Sequence, residues 1–363
     1  MPSSRDPQGT EAQPDMLAVD ELMLLARRLP KAEMHMHHMG SLAPSERARL
    51  YRAKHGAPMT HEQLVSAYDL RGVGKFFDDL DEACRLWGDA GAVTTGVLHM
   101  LCGAYDRGVR HVELLCTPDL HRSEIGMEPE VLLTAVGEAF KVAADMFGLT
   151  GGIVVELHRF DGGDVAVQLV KDTAGLRDKG VPILGYGNDG DHRTVPFEEL
   201  APAYELARAE GYLLTGHADE LPDVGVALDL GLDRIDHGWM VVDEPATLTR
   251  LQAAGTALTF TPSGYSYGGL VGEHTYVEAW TMLSEAGVPL AIGTDDPELH
   301  HTDLSREYAL LATHLDWAPA DLAAAAKASF RASWLAGAEG EAVRQAWFDE
   351  IDALVADPRS PVR

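Results

Sequence analysis

The sequence predicts an α/β fold of the closed (β/α)8 type, a TIM barrel with a helical insertion after its first strand. Three observations carry this expectation. Eight short apolar runs of strand length recur along the chain, with longer helical patterns between most of them, and such alternation marks parallel βα units. The span from about residue 30 to about 340 exceeds the roughly 250 residues that a barrel typically takes, so an insertion is expected. The unusual polar residues fall in or at the ends of runs one, five, six and eight. In a closed barrel those ends meet on one face, where catalytic groups collect. In an open sheet, strands one and eight would lie far apart.

Residues 1–15 read as a disordered tail, being rich in Ser, Pro, Gln and Gly, without the apolar stretch of a secretory signal. Residues 16–363 read as a single domain, since no Pro/Ser-rich linker or charge run divides them. A helical pattern over 20–29 stops at Pro30. The first strand, 32–38, ends in histidines rather than in a turn. Segment 43–108 then holds inserted helices, expected to cover the barrel face. Within it Phe76, Phe77, Leu80 and Trp87 fall at helical spacing, as either core or an apolar wall against a ligand. The remaining strands are expected at 109–116, 152–157, 181–186, 212–216, 234–239, 257–261 and 289–294, several rich in Val, Ile, Leu or Thr. Helical patterns occupy 129–147, 196–210 and 276–286.

Composition narrows the function. The 363 residues carry 29 Lys+Arg against 57 Asp+Glu, a formal net charge of −28. Phosphate binding depends on cationic side chains, so neither nucleic acid nor an anionic membrane surface is an expected partner. No apolar run is long enough to span a bilayer. Three scattered cysteines, Cys84, Cys102 and Cys116, read as free buried thiols in a reducing cytoplasm.

Four motifs carry the chemistry. In His35-Met36-His37 the two imidazoles lie two residues apart and share one face of a strand, so both can reach one ion. His38 should point away, toward packing or a backbone hydrogen bond. Thr215-Gly-His217-Ala-Asp-Glu220 adds a further His and a carboxylate suited to proton transfer beside a metal; by itself that Glu is an ordinary acid at a helix N-terminus. Arg234-Ile-Asp-His237 places a His inside a strand. Gly293-Thr-Asp295-Asp296-Pro297 sets adjacent carboxylates pointing differently, one to ligate and one to face a substrate, though alone it is a turn with helix capping. Together, three His and one Asp suit Zn²⁺ with a position left for water. Glu220 and His237 would handle protons, which makes this a hydrolase site.

These segments, 29–42, 217–220, 234–239 and 293–297, resemble the adenosine/adenine deaminase family of the metal-dependent amidohydrolases, in order and spacing from about Leu29 to about Asp303. Segments 111–118 and 187–191 resemble its intermediate strands. The resemblance implies a barrel holding one zinc through His35, His37, His217 and Asp295. It implies hydrolytic deamination of a small-molecule aminopurine, releasing ammonia, as a step of purine metabolism. Glu220 would protonate a purine ring nitrogen and His237 would orient and deprotonate water. Asp296 would hydrogen-bond the substrate's other edge, and the backbone N–H of Gly190 would address a ring nitrogen.

Two departures bear on the substrate. Met39 stands where the family typically has an acid that binds a sugar hydroxyl, and a thioether accepts such a bond only weakly. Asp219 replaces a common glycine. A nucleoside, a modified nucleoside and a free base therefore remain open. The alternatives are another mononuclear amidohydrolase reaction and a catalytically silent purine binder. Asn188 and Asp189 stand where two-metal relatives need a bridging Lys, so one metal is expected.

Other signals are discounted. Gly185-Tyr-Gly-Asn-Asp-Gly190 fits G-x-G-x-x-G, but acidic residues follow it and no helix opens from it. Residues 264–269 read as a flexible loop. His274, His300 and His301 read as surface or loop residues.

Overall fold

The computed structural model describes residues 19–69, 73–190, 194–266 and 274–358. Strands β1 (Lys31–His37), β2 (Val109–Cys116), β3 (Thr150–His158), β4 (Ile183–Asp189) and β5 (Leu213–Leu214) pair side by side in that order. Strands β6 (His217–Ala218), β7 (Arg234–His237), β8 (Ala257–Phe260) and β9 (Leu290–Ile292) pair likewise, and every pairing is parallel. β5 and β6 are two halves of one stave. Thr215 N still donates to Tyr186 O on the β4 side at 2.9 Å, and Gly216 O accepts from Asp236 N on the β7 side at 2.9 Å. A Cβ at Gly216 would lie 2.7 Å from the Tyr204 hydroxyl and 2.9 Å from the Phe197 ring, so the stave passes there only as glycine.

The circle closes between β1 and the segment after β9. Met36 and Asp295 form a parallel bridge, with His37 N donating to Asp295 O at 2.9 Å and Asp295 N to His35 O at 2.8 Å. The expected eight-stave barrel is therefore the observed one, with two shifts. Stave five is broken at Thr215-Gly216, and β9 stops at Ile292, so Asp295 and Asp296 lie beyond its end. Strands covered on both faces read as continuous apolar runs: Val112, Leu114, Leu115 and Cys116 on β2, and Ile153, Val154, Val155 and Leu157 on β3, are all fully buried.

Helix α1 (Val19–Arg28) precedes β1, and four helices follow it before β2: α2 (Pro44–His55), α3 (His61–Ser66), α4 (Val73–Leu86) and α5 (Ala90–Tyr105). They build a second apolar cluster apart from the main core, made of Met39, Ala67, Tyr68, Leu80, Cys84, Leu120 and Leu299, with Phe76 and Phe77 partly buried against it. Leu299 comes from the loop beyond Asp296, so this cluster ties the insertion to that loop. Trp87 belongs to the main core instead, and the expected quartet divides accordingly. The helix expected at 129–147 is found as Pro129–Phe147, with Pro at its start and Gly148 in the left-handed region (φ 71°) at its end. The 196–210 pattern is helical as Ala201–Ala209, after a tight turn over Phe197–Leu200. Cys84 and Cys116 are buried, whereas Cys102 is only partly so; all three are free. The expected tail, and residues 267–269 of the expected loop, lie outside the described residues.

Candidate functional site

The β1 pleat turns His35 and His37 to the same inner face, and the barrel brings β6 and the residue after Thr294 against them. The Nε2 atoms of His35 and His37 each lie 3.2 Å from His217 Nε2. Asp295 Oδ1 lies 3.6 Å from His35 Nε2 and 3.4 Å from His37 Nε2. A tetrahedron around a zinc with ligands at 2.0–2.1 Å has edges of roughly 3.3–3.4 Å. The four edges observed bracket that length, so the donor set matches the cage such an ion requires.

Proton positions sharpen the fit. His217 Nδ1 donates to the Asn188 backbone oxygen at 2.6 Å, and His37 Nδ1 to Glu156 Oε2 at 3.2 Å. Thr259 gives its only hydroxyl proton to Asp236 Oδ1 at 2.8 Å, so its oxygen must accept from His35 Nδ1 at 2.7 Å. Each neutral ring thus carries its proton on Nδ1 and aims a bare Nε2 lone pair at the same point. The His217 lone pair faces those of His35 and His37 at 3.2 Å each and is repelled by both, and a cation between them would remove that cost.

The other expected residues surround this cluster unevenly. The His237 ring centroid is 4.6 Å from that of His35 and 5.0 Å from that of His217. Its backbone φ of 63°, like the 62° of Asp295, is a strained left-handed conformation that concentrates at functional sites. Asp219, in the place of the common glycine, faces His237 Nε2 with its carboxylate at 3.7 Å. Glu220 occupies the N-cap position of the helix Leu221–Asp229 without a side-chain capping hydrogen bond, and it is exposed. Met39 is buried inside the second apolar cluster. His38 does turn away, with Nδ1 3.3 Å from Leu115 O and its ring stacked on His121.

The Gly190 N–H, expected to address a ring nitrogen, is donated to Asp189 Oδ1 at 2.6 Å. The glycine pattern 185–190 lies mostly within β4, as a strand rather than a phosphate loop. His300, read as a surface or loop residue, lies in a loop but not at the surface. It is buried, its N–H donates to Asp296 O at 2.8 Å, and its ring stacks on Phe76 at 6.2 Å and 11°. The loop after Asp296 folds back under α4, which covers it. His274 pairs with Asp243 at 2.9 Å and His301 is exposed, as expected.

Several functional neighbours gave only faint sequence signals. Glu156, in the Val-Val-Glu-Leu-His stretch of β3, is fully buried and also accepts from the Thr117 hydroxyl at 2.8 Å. Asp236, inside the motif read only for His237, accepts from Thr215 at 2.6 Å as well. Burial opposes its ionisation, yet His35, Arg234 and the Thr215 hydrogen bond hold its carboxyl well below the usual range. Gly40 adjoins Asp296 so closely that any Cβ there would overlap the Asp296 carboxylate. Asp296 Oδ1 is buried and has no hydrogen-bond partner among the described residues, an acceptor held ready for something else. Burial, and then Asp295 beside it, push the Asp296 carboxyl well up.

Comparison with known proteins agrees with this geometry. The profile of a family described as adenosine deaminase matches residues 30–353. An adenine deaminase from Rhizobium leguminosarum bv. trifolii is 28% identical over 315 residues, 85% of this chain and 95% of that one. An amidohydrolase from Burkholderia ambifaria, solved with bound zinc, superposes with a TM-score of 0.84 at 26% identity, covering 96% of this chain and 97% of the other. Adenine deaminase from Arthrobacter aurescens shares the fold with a TM-score of 0.81 at 24% identity, over 90% of this chain and 99% of that one. Among the described residues, no helix is long and apolar enough to cross a membrane.

Proposed function

The chain belongs to the adenosine deaminase family, and from that premise we propose that it hydrolyses the exocyclic amine of an aminopurine with one zinc ion held by His35, His37, His217 and Asp295. The observation that carries the reading is the convergence of three bare imidazole nitrogens and one carboxylate oxygen on a single point. Those four residues would hold a zinc ion, whose positive charge would make a water nucleophile available near neutral pH.

The chain's own residues do the rest. His237, beside the ligand rings, holds the attacking water and takes its proton, and the facing Asp219 carboxylate steadies the imidazolium that results. Glu220 delivers a proton to the ring nitrogen next to the reacting carbon, so negative charge does not build on the heterocycle. Asp296 fixes the opposite edge of the ring through its unpartnered oxygen. Water adds at the amino-bearing carbon and its proton passes to His237; the carbon–nitrogen bond breaks, the amine takes that proton and leaves as ammonia, and the remaining hydroxyl proton returns to Glu220 as the carbonyl forms.

The relatives' names support an adenine-like base. So does Met39, whose burial in an apolar cluster offers no acceptor for a sugar hydroxyl. The groups gathered at the site are imidazoles and carboxylates, which favours a neutral substrate over a phosphorylated one. Release of ammonia from adenine, adenosine, 5′-modified nucleosides and AMP, and of the corresponding amine from N6-substituted nucleosides, tests the proposal. Release is expected from at least one neutral aminopurine and not from AMP. Zinc-loaded protein that binds purines but frees neither ammonia nor an amine from any of them would leave a silent binder instead.

A further inference from the structure

The hydrogen-bond pattern behind His35 extends to groups that touch neither metal nor substrate. Asp236 is fully buried at the barrel centre. It accepts from Thr259 Oγ1 through Oδ1 at 2.8 Å and from Thr215 Oγ1 through Oδ2 at 2.6 Å. The Arg234 guanidinium stands behind it, Nε at 3.7 Å from Oδ1, itself held by Glu113 at 2.6 Å. An ionised carboxylate only accepts. Both threonine hydroxyl protons are therefore committed to Asp236, and Thr259 has nothing but a lone pair to offer His35 Nδ1 at 2.7 Å.

We propose that Thr259, oriented by Asp236, is a positioning residue of the metal centre: it fixes His35 in the Nδ1–H tautomer and so keeps Nε2 bare for the ion. The inference rests on the ligand set argued above. The three ligand histidines use three different acceptors, and only the His35 acceptor is an amphoteric hydroxyl. A carbonyl or a carboxylate can accept but never donate. A hydroxyl can do either, so here the choice is made one bond further away, by the Asp236 charge. The second threonine extends the same control, since Thr215 stands two residues before His217, where stave five is broken. One buried carboxylate thus bonds directly to the stave that carries His217 and, through Thr259, reaches His35 on β1.

Thr259→Val keeps shape and removes the hydroxyl, whereas Thr259→Ser keeps the hydroxyl and loses a methyl. The test measures zinc affinity by competition with a chromophoric chelator, zinc stoichiometry, and thermal unfolding of the zinc-free proteins. Partners that orient a metal-bound His are typically worth 10–100-fold in affinity. Thr259→Val is expected to bind zinc about 10–100-fold more weakly, Thr259→Ser within about threefold of the parent, and the zinc-free melting temperatures of the two variants to agree. Equal affinity in parent and Val variant overturns the proposal. So does an equal loss in Ser and Val, which would indicate packing alone. Should the Val variant not fold, Thr259→Ala against Thr259→Ser decides by the same comparison. A parent protein that takes up no zinc would instead refute the ligand assignment, a distinguishable failure.

Discussion

Gly40→Ala makes the sharpest demand on the geometry. The backbone of Gly40 lies outside the left-handed region, so alanine is conformationally permitted and any defect comes from contact. The added Cβ would overlap the Oδ1, Cγ and Cβ atoms of Asp296, all of them nearer than the 3.0 Å that real Cβ atoms essentially never breach. Asp296 has to swing away, because Gly40 itself is pinned by the Glu298 N–H, which donates to its carbonyl at 3.0 Å. The acceptor for the substrate's far edge is lost with it. A hydrogen bond to a carboxyl held neutral by burial contributes about 0.5–1.5 kcal/mol, which corresponds to about a 2- to 13-fold fall in kcat/KM. Asp295 is tied to β1 through its own backbone bonds, so zinc stoichiometry should stay at one. Steady-state kinetics on the best aminopurine, zinc analysis and a structure of the variant check each part. Activity within twofold of the parent, with Asp296 still in place, would refute the role given to its carboxylate.

Two further predictions concern Glu220 and Glu307. Glu220→Gln should retain zinc and lose about 10²–10⁴-fold in kcat, the usual worth of a general acid–base group; undiminished turnover removes its assigned role. Glu307, fully buried, accepts from Ser263 N at 3.0 Å and from the Thr302 hydroxyl, and burial pushes its carboxyl up from 4.5 to about 7. The folded chain therefore holds that proton more tightly than the unfolded chain does. The stabilisation is complete below about pH 4.5 and is lost as pH rises through about 7, about 3 kcal/mol in all. Glu307→Gln should remove this pH dependence, and urea unfolding of both proteins from pH 4.5 to 8 would show parallel curves if the reasoning were wrong.

Local pattern was enough for the scaffold. Strand β2 and the helix Pro129–Phe147 were legible residue for residue, because a strand buried on both faces and a helix bounded by Pro and Gly announce themselves within a dozen positions. The four convergent donors were legible too, since each stands in or beside a strand end. What the linear order could not reveal is which second residue meets each of them. His35 depends on Thr259, 224 positions away, and His37 on Glu156, 119 positions away, and neither partner belongs to a motif with a ligand. The burial of His300 under Phe76 and the capture of the Gly190 N–H by Asp189 are likewise decided by how loops settle. Barrel closure brings remote staves within hydrogen-bonding distance, and only then do a hydroxyl and a buried charge determine where an imidazole keeps its proton. Periodicity is encoded by neighbours in the chain, whereas protonation geometry is encoded by neighbours in space.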